Sequence, residues 1–224
     1  MGTSRFDRFL PLAGVLAGLL FFVGLFLNRS DPSSETGPAD TFAYWHADHG
    51  RHQIVGLLVA PLIAFLLVFF GAGLKRRLEQ DGASSGHGSV AFGGALLAAA
   101  VFALVAMLEG AMANAAHAGE QQAVYTINQI HSYDWLGWNA AFAAMLLATG
   151  VGARRNRILP GWLTWVTIAI GLSLLTPLGF FGFLLLPVWL IVVGLLLFRG
   201  SAGPLSPAAA ASSSRDPAPA ARHA

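Results

Sequence analysis

Residues 158–198 read ILPGWLTWVTIAIGLSLLTPLGFFGFLLLPVWLIVVGLLLF, forty-one positions without a charged side chain. A helix rises 1.5 Å per residue, so about 20 apolar residues cross about 30 Å of hydrocarbon. The run is too long for one crossing and just long enough for two. Thr176-Pro177-Leu178-Gly179-Phe180-Phe181-Gly182 stands at its middle, and proline with flanking glycines signals a turn. A tight hairpin of two membrane helices, over 158–177 and 180–198, is predicted.

Outward from that hairpin the same pattern repeats. Leu10–Leu27 and Ile54–Leu74 carry no charge, Val90–Met112 carries only Glu109, and another apolar stretch runs from Trp135 to Gly152. The expected architecture is all-α, a polytopic membrane helix bundle of six transmembrane helices. The spans are about 10–27, 54–74, 90–112, 135–152, 158–177 and 180–198. Composition agrees: 55% of the 224 residues are hydrophobic and 11% charged, whereas soluble domains carry about a quarter charged residues. So few polar side chains cannot coat a globule, and low charge with high apolar content is the reverse of a disordered chain. The absence of cysteine excludes disulfides, thiolate metal sites and cysteine nucleophiles. A net charge of +2 gives no reason to expect a nucleic-acid partner.

Charge placement orients the spans. Arg5 and Arg8 precede the first, Lys75, Arg76 and Arg77 follow the second, Arg154, Arg155 and Arg157 follow the fourth, and Arg199 follows the sixth. The opposite side holds only Arg29 and Arg51. Lys and Arg concentrate in cytoplasmic loops, so the expected topology is N-in, C-in. The first apolar run exceeds a usual signal-peptide core and no clear cleavage site follows it, so it reads as an uncleaved anchor. Residues 200–224, rich in Ala, Pro and Ser, read as a disordered cytoplasmic tail. One lysine against twelve arginines suits a high-GC bacterial genome, and a bacterial inner membrane is the expected location. The bilayer is the expected partner. Gly14 and Gly18 form a GxxxG pair, which serves either packing within one bundle or a homodimer seam.

The outer side holds His46, His49, His52, His117 and His131, five of the seven histidines. Asp40-Thr41-Phe42-Ala43-Tyr44-Trp45-His46-Ala47-Asp48-His49-Gly50-Arg51-His52 reads as a short interfacial helix, capped at Asp40 or Thr41, leading into the second span. Trp45, Asp48 or His49, and His52 share one face of such a helix. Imidazoles three apart, with a carboxylate to orient one, are parts of a zinc or other divalent-metal site. His117 and His131 come from other elements at similar depth. The alternative is a solvated helix whose histidines bond water and headgroups. No complete metal or catalytic motif is present, and no cofactor is specified.

Glu109 is the one acidic residue within an expected span, and an intramembrane acid is by default a functional hypothesis. It can be protonated, paired with His or Arg51, or part of a proton relay. Gln121, Tyr125, Asn128, Ser132, Trp135 and Asn139 step by three and four, forming a polar-aromatic stripe on a helix that begins outside the bilayer. The stripe lines a wet cavity with Glu109 and Asn114, or it is the solvated face of a protruding helix.

Ala47-Asp48-His49-Gly50-Arg51, Leu74-Lys75-Arg76-Arg77-Leu78 and Arg154-Arg155-Asn156-Arg157-Ile158-Leu159-Pro160-Gly161-Trp162-Leu163 carry a resemblance. From Leu10 through Gly200 the chain resembles a family of uncharacterised six-span bacterial integral membrane proteins, of the domain-of-unknown-function type. The resemblance implies an α-helical membrane fold and brings no activity with it. The expectation is a non-enzymatic accessory or envelope component. The alternative is a metal- or proton-linked transporter or enzyme using the outer histidines and Glu109. A third reading, an oligomeric small-molecule permease, calls for a polar cavity near the midplane.

Overall fold

The computed structural model describes residues 8–27, 31–47, 49–80 and 85–200. The expected tail, beyond Gly200, lies outside the described residues, as do Arg5, Arg29, Asp48 and His223. Regular structure among the described residues is helical throughout. The elements are α1 (Leu12–Leu27), α2 (Pro38–Ala47), α3 (His49–Ile54), a π-helical turn (Val55–Val59), α4 (Ala60–Glu79), α5 (Ser85–His117), α6 (Gln121–His131), α7 (Asp134–Asn156), α8 (Gly161–Ser173) and α9 (Gly179–Gly200). Four helical stretches are long and apolar enough to cross a bilayer: His49–Glu79, Gly86–His117, Gln121–Asn156, which includes a short turn at Ser132–Tyr133, and Gly179–Gly200. The apolar helices α1 and α8 are shorter, at 16 and 13 residues, or about 24 and 20 Å.

The charge-free stretch folds as a helical hairpin. Its first limb stops at Ser173, earlier than the apolar run implies, because Leu174–Leu178 closes into turns. Leu178 N–H donates to Thr176 Oγ1 at 3.2 Å, and Gly179 N–H donates to Thr176 O at 2.9 Å. The second limb tolerates Pro187 inside α9. There Gly18 brings α1 against the backbone: a Cβ on Gly18 would lie 2.6 Å from Pro187 O. A Cβ on Gly14 would meet the Phe70 ring. Both glycines are buried inside one chain, so the GxxxG pair serves intramolecular packing, and a homodimer seam through Gly14 and Gly18 would require the bundle to open.

Lipid tails are as apolar as leucine, so burying apolar area does little to drive helices together, and close van der Waals packing takes its place. The small-residue face of α5 supplies it. Ala91, Ala95 and Ala98 are fully buried, and a Cβ on Gly94 would lie 2.5 Å from Met145 N and 2.9 Å from Ala141 O of α7. On the opposing side, Gly71 of α4 seats the Ala95 methyl. Helix α5 is therefore the central post, packed between α4 and α7.

One end of the bundle gathers the helix ends that carry most of the described basic residues. Arg8 lies over the Phe198 ring at 5.5 Å, Arg77 Nη2 donates to Leu197 O at 3.2 Å, and Asn156 Nδ2 donates to Leu78 O at 2.7 Å. The other end is built from α2, α3, the end of α5, α6 and the start of α7, with a small core of its own around Trp45, Met112, Ala116 and Val124.

The packing makes a paired prediction. Gly94→Ala forces a methyl onto α7 backbone and should cost about 1–3 kcal/mol. Gly93→Ala, with nothing within 4 Å, should be neutral or mildly stabilising through helix propensity. Thermal unfolding of both variants in detergent checks the contrast.

Candidate functional site

Pro61 organises the histidine-bearing end of the bundle from a distance. In an unbroken α-helix its nitrogen would face the Leu57 carbonyl with no hydrogen to donate. The chain instead winds a π turn over Val55–Val59, and Ala60 N–H donates to Val55 O, five residues back. Such single-turn π segments recur at functional sites. This one lays Gly56 on Glu109: a Cβ at Gly56 would stand 2.9 Å from Glu109 Cβ and 3.2 Å from its Oε2. Only a glycine admits the carboxyl there.

Glu109 is 3% exposed. His131, at the end of α6, places Nε2 4.0 Å from Glu109 Oε1, an ion-pair distance too long for a hydrogen bond. Its Nδ1 lies 2.9 Å from Oδ2 of Asp134, the first residue of α7, within ion-pair reach but without the alignment of a full hydrogen bond. Asp134, His131 and Glu109 thus form a carboxylate–imidazole–carboxylate series running inward. The imidazole suits the middle position because its two nitrogens can take and release a proton on opposite sides.

A clamp holds α6 in place. Trp45 Nε1 donates to Asn128 Oδ1 at 3.3 Å, Asn128 Nδ2 donates to Pro32 O at 3.2 Å, and Gln129 Nε2 donates to Ser34 O at 3.0 Å. Asn128 is therefore a buried anchor. The stripe that contains it has no single environment: Asn128 is buried, Ser132 borders a cavity with Glu109, and a turn at Ser132–Tyr133 separates α6 from α7. Gln121 and Trp135 of that stripe are exposed. Asn114 is exposed at the end of α5 and does not join Glu109, while Asn139 sits against the Gly179 backbone at the start of α9.

The five histidines His46, His49, His52, His117 and His131 are divided among three roles. His46 Nδ1 donates to Ala116 O and His49 Nδ1 to Ala113 O, both at 3.0 Å, and His49 stacks on His117 at 4.9 Å. These contacts tie α2 and α3 to carbonyls at the C-terminal end of α5. His52 is buried against Trp45, with ring centroids 4.3 Å apart, and accepts from Arg51 Nη2 at 3.5 Å. His131 belongs to the Glu109 series. Among the described residues no group of three or more His, Asp or Glu side chains is placed to hold a metal ion. Among the described residues, the common histidine centre expected at zinc spacing is not assembled, because backbone carbonyls, aromatic rings and the Glu109 series engage the imidazoles separately.

Two cavities meet at this point. One, of about 280 Å³, is apolar along Phe21, Val59, Ile63, Phe102 and Phe183; the other, of about 310 Å³, is bordered by Ser33, Ser34, His131 and Asp134. Asp31, Glu109 and Trp138 line both. The Trp138 ring is stacked between Phe102 and Phe183, at 5.2 and 5.1 Å. Its buried Nε1 has no hydrogen-bond partner among the described residues. The sequence carried no signal for Asp31 or Trp138, which arrive from distant segments. Asp134 did have one: it lies three residues after His131.

Tyr44 Oη donates to Asp31 Oδ1 at 2.7 Å. Desolvation raises the Asp31 pKa above its ordinary value, outweighing the lowering effects of the Tyr44 hydrogen bond and of His131 and Arg51 nearby. The Tyr44 hydroxyl is raised too, by desolvation and by Asp31. A carboxyl raised in the folded state contributes stability that is present below the unfolded value and lost as pH rises through the folded one. Tyr44→Phe removes a lowering influence, so the Asp31 transition should move to higher pH; carboxyl-carbon NMR of selectively labelled aspartate reads the shift. An unchanged Asp31 titration would show that the hydroxyl does not govern it.

No family model matches this chain, and neither does any curated protein or solved structure. What the site does is read from its own residues.

Proposed function

We propose that the chain is an integral membrane protein of six crossings, with both termini on the cytoplasmic side of a bacterial inner membrane, and that it works through a proton-linked site at its outer end. Two features support six crossings. The shorter helix α1 packs along α4 and α9, and α8 packs along α7 and α9, as members of the same bundle. Apolar turns at Leu10–Pro11 and Leu174–Leu178 extend both. The alternation of Lys and Arg supports the orientation.

One observation carries the functional reading: Asp134, His131 and Glu109 stand in series between a polar mouth and an apolar cavity. A proton from the outer side reaches Asp134 at the mouth, passes through the imidazole, and arrives at Glu109 without crossing lipid. Changing the charge of a carboxyl in such a setting costs about 2.5–3.5 kcal/mol at a bilayer centre, and less toward the boundary. Protonation at Glu109 is therefore coupled to whatever occupies the cavity or to the packing of Gly56 upon it. A purely structural envelope component has no need of this arrangement. The proton-linked alternative is favoured over the metal-linked one because the histidines are separately engaged.

Trp138 borders Glu109's cavity and reports on it. Intrinsic fluorescence of the full chain in nanodiscs, titrated from about pH 4 to about pH 9, should show a transition that vanishes in Glu109→Gln. In Asp134→Asn and His131→Gln the midpoint should move by about one unit, equivalent to about 1.4 kcal/mol. A profile identical in all three variants would remove the relay.

A further inference from the structure

Away from the acidic series, at the basic end of the bundle, α5 and α7 leave a groove between them. We propose that it takes one acyl chain of an anionic glycerophospholipid from the leaflet on that side, with the lipid phosphate held by Arg155. The proposal rests on the reading of the chain as membrane-spanning, and on neither the relay nor the cavities beside Glu109.

The groove follows from how the two helices touch. Gly94 lets α5 close onto α7 backbone at Ala141 and Met145, and nearer the basic end a Cβ on Gly152 would stand 3.1 Å from His87 Cβ. Beside those contacts, His87 and Val90 of α5 face Ala144, Leu147, Ala148 and Val151 of α7 across about 430 Å³. His87 supplies the one polar side chain among the described residues that line it. The two alanines leave space that larger side chains would fill, and Val90 and Val151, 54% and 42% exposed, leave it open to the bilayer. From Ala144 to Val151 the groove runs two helical turns, about 10 Å along α7, a length that suits a segment of extended hydrocarbon.

Charge selects the headgroup. Arg155 is exposed, one turn beyond Val151 on the same face of α7, while its neighbour Arg154 lies over the Trp165 ring at 4.6 Å. The two segments that meet here, residues 75–87 and 153–160, hold six lysines and arginines against Glu79 and Asp81, so cations prevail with every acid in them counted. Glu79 lies on the α4 side of α5, where it accepts from Ser89 Oγ at 3.3 Å. A guanidinium pairs with phosphate through two parallel N–H bonds, and basic sites between helices on the cytoplasmic side take anionic headgroups. An ammonium-bearing headgroup would add a cation to this surplus. A second copy of the chain is disfavoured for the same reason. Insertion gives every copy one orientation, so its own basic end would arrive at the same depth and meet like charge.

The test uses the full chain in dodecyl maltoside micelles at one fixed pH near 7 and one ionic strength. Lyso-phosphatidylglycerol, lyso-phosphatidylethanolamine and lyso-phosphatidylcholine of equal chain length are titrated separately, and bound lipid is counted by native mass spectrometry. The glycerol lipid should bind at least about tenfold more tightly than the other two, equivalent to about 1.4 kcal/mol. Arg155→Gln should abolish that preference by weakening the glycerol lipid alone, about tenfold. Ala144→Leu, which fills the groove, should weaken all three lipids by a similar factor. Arg199→Gln removes the same charge from the end of α9, outside the groove, and should leave the preference unchanged. Arg155 and Arg199 are both exposed, so this pair keeps the test open if Ala144→Leu fails to fold. Equal binding of the three lipids, or an Arg199→Gln loss as large as that of Arg155→Gln, overturns the proposal by showing diffuse attraction. Binding that a folded Ala144→Leu leaves intact also overturns it, by showing that the chain lies elsewhere. Headgroup preference without the Glu109 pH transition sinks the relay alone; the transition without the preference sinks the lipid site alone.

Discussion

Glu109 sits nearly inaccessible on the central helix of a bundle built mainly from apolar side chains, and a buried carboxyl is tolerated only where its surroundings answer it. The end of the bundle that holds it is arranged around that constraint. Pro61 interrupts the hydrogen bonding that would keep α3 and α4 one regular helix, the π turn takes up the residue, and Gly56 comes to lie against the carboxyl. From the other side α6 delivers His131, and α7 begins with Asp134 behind it. The Trp45–Asn128–Pro32 clamp has the same purpose in mechanical terms, since it holds α6 at the depth where the imidazole reaches Glu109.

The histidines show how residues of one type, close in sequence, divide their work. His46 and His49 engage the Ala116 and Ala113 carbonyls near the end of α5. His52 fills space beside Trp45 at the smaller of the two cores. His131 alone stands between carboxylates. Spacing by three put His46 and His49 on neighbouring positions, as expected, but neighbours on a helix need not converge on one ligand.

Much of the helical architecture was legible because hydrophobic run length and helix rise are local quantities. The hairpin at Thr176–Gly182, the short helix Pro38–Ala47 ahead of the second expected span, and the isolated acid at Glu109 all follow from reading along the chain. The glycine pair was legible as a close-packing site but not as to its partner. Only the assembled bundle shows Gly18 on the Pro187 carbonyl and Gly14 on Phe70. The stripe through Asn128 had a helical period but meets no single environment, because a period records which residues share a face and not what that face meets.

The sequence by itself determined that the chain is helical and suited to lipid, and where its charges fall relative to its apolar runs. Those features depend on backbone hydrogen bonding and apolar length, which each segment satisfies alone. The tertiary structure decided which polar groups meet. Asp31 joins Glu109 across 78 positions, Asn128 joins Pro32 across 96, and Trp138 is stacked between rings of two other helices. These pairings are set by how closely the small residues of α5 allow its neighbours to approach, a property of the packed bundle that no single segment carries.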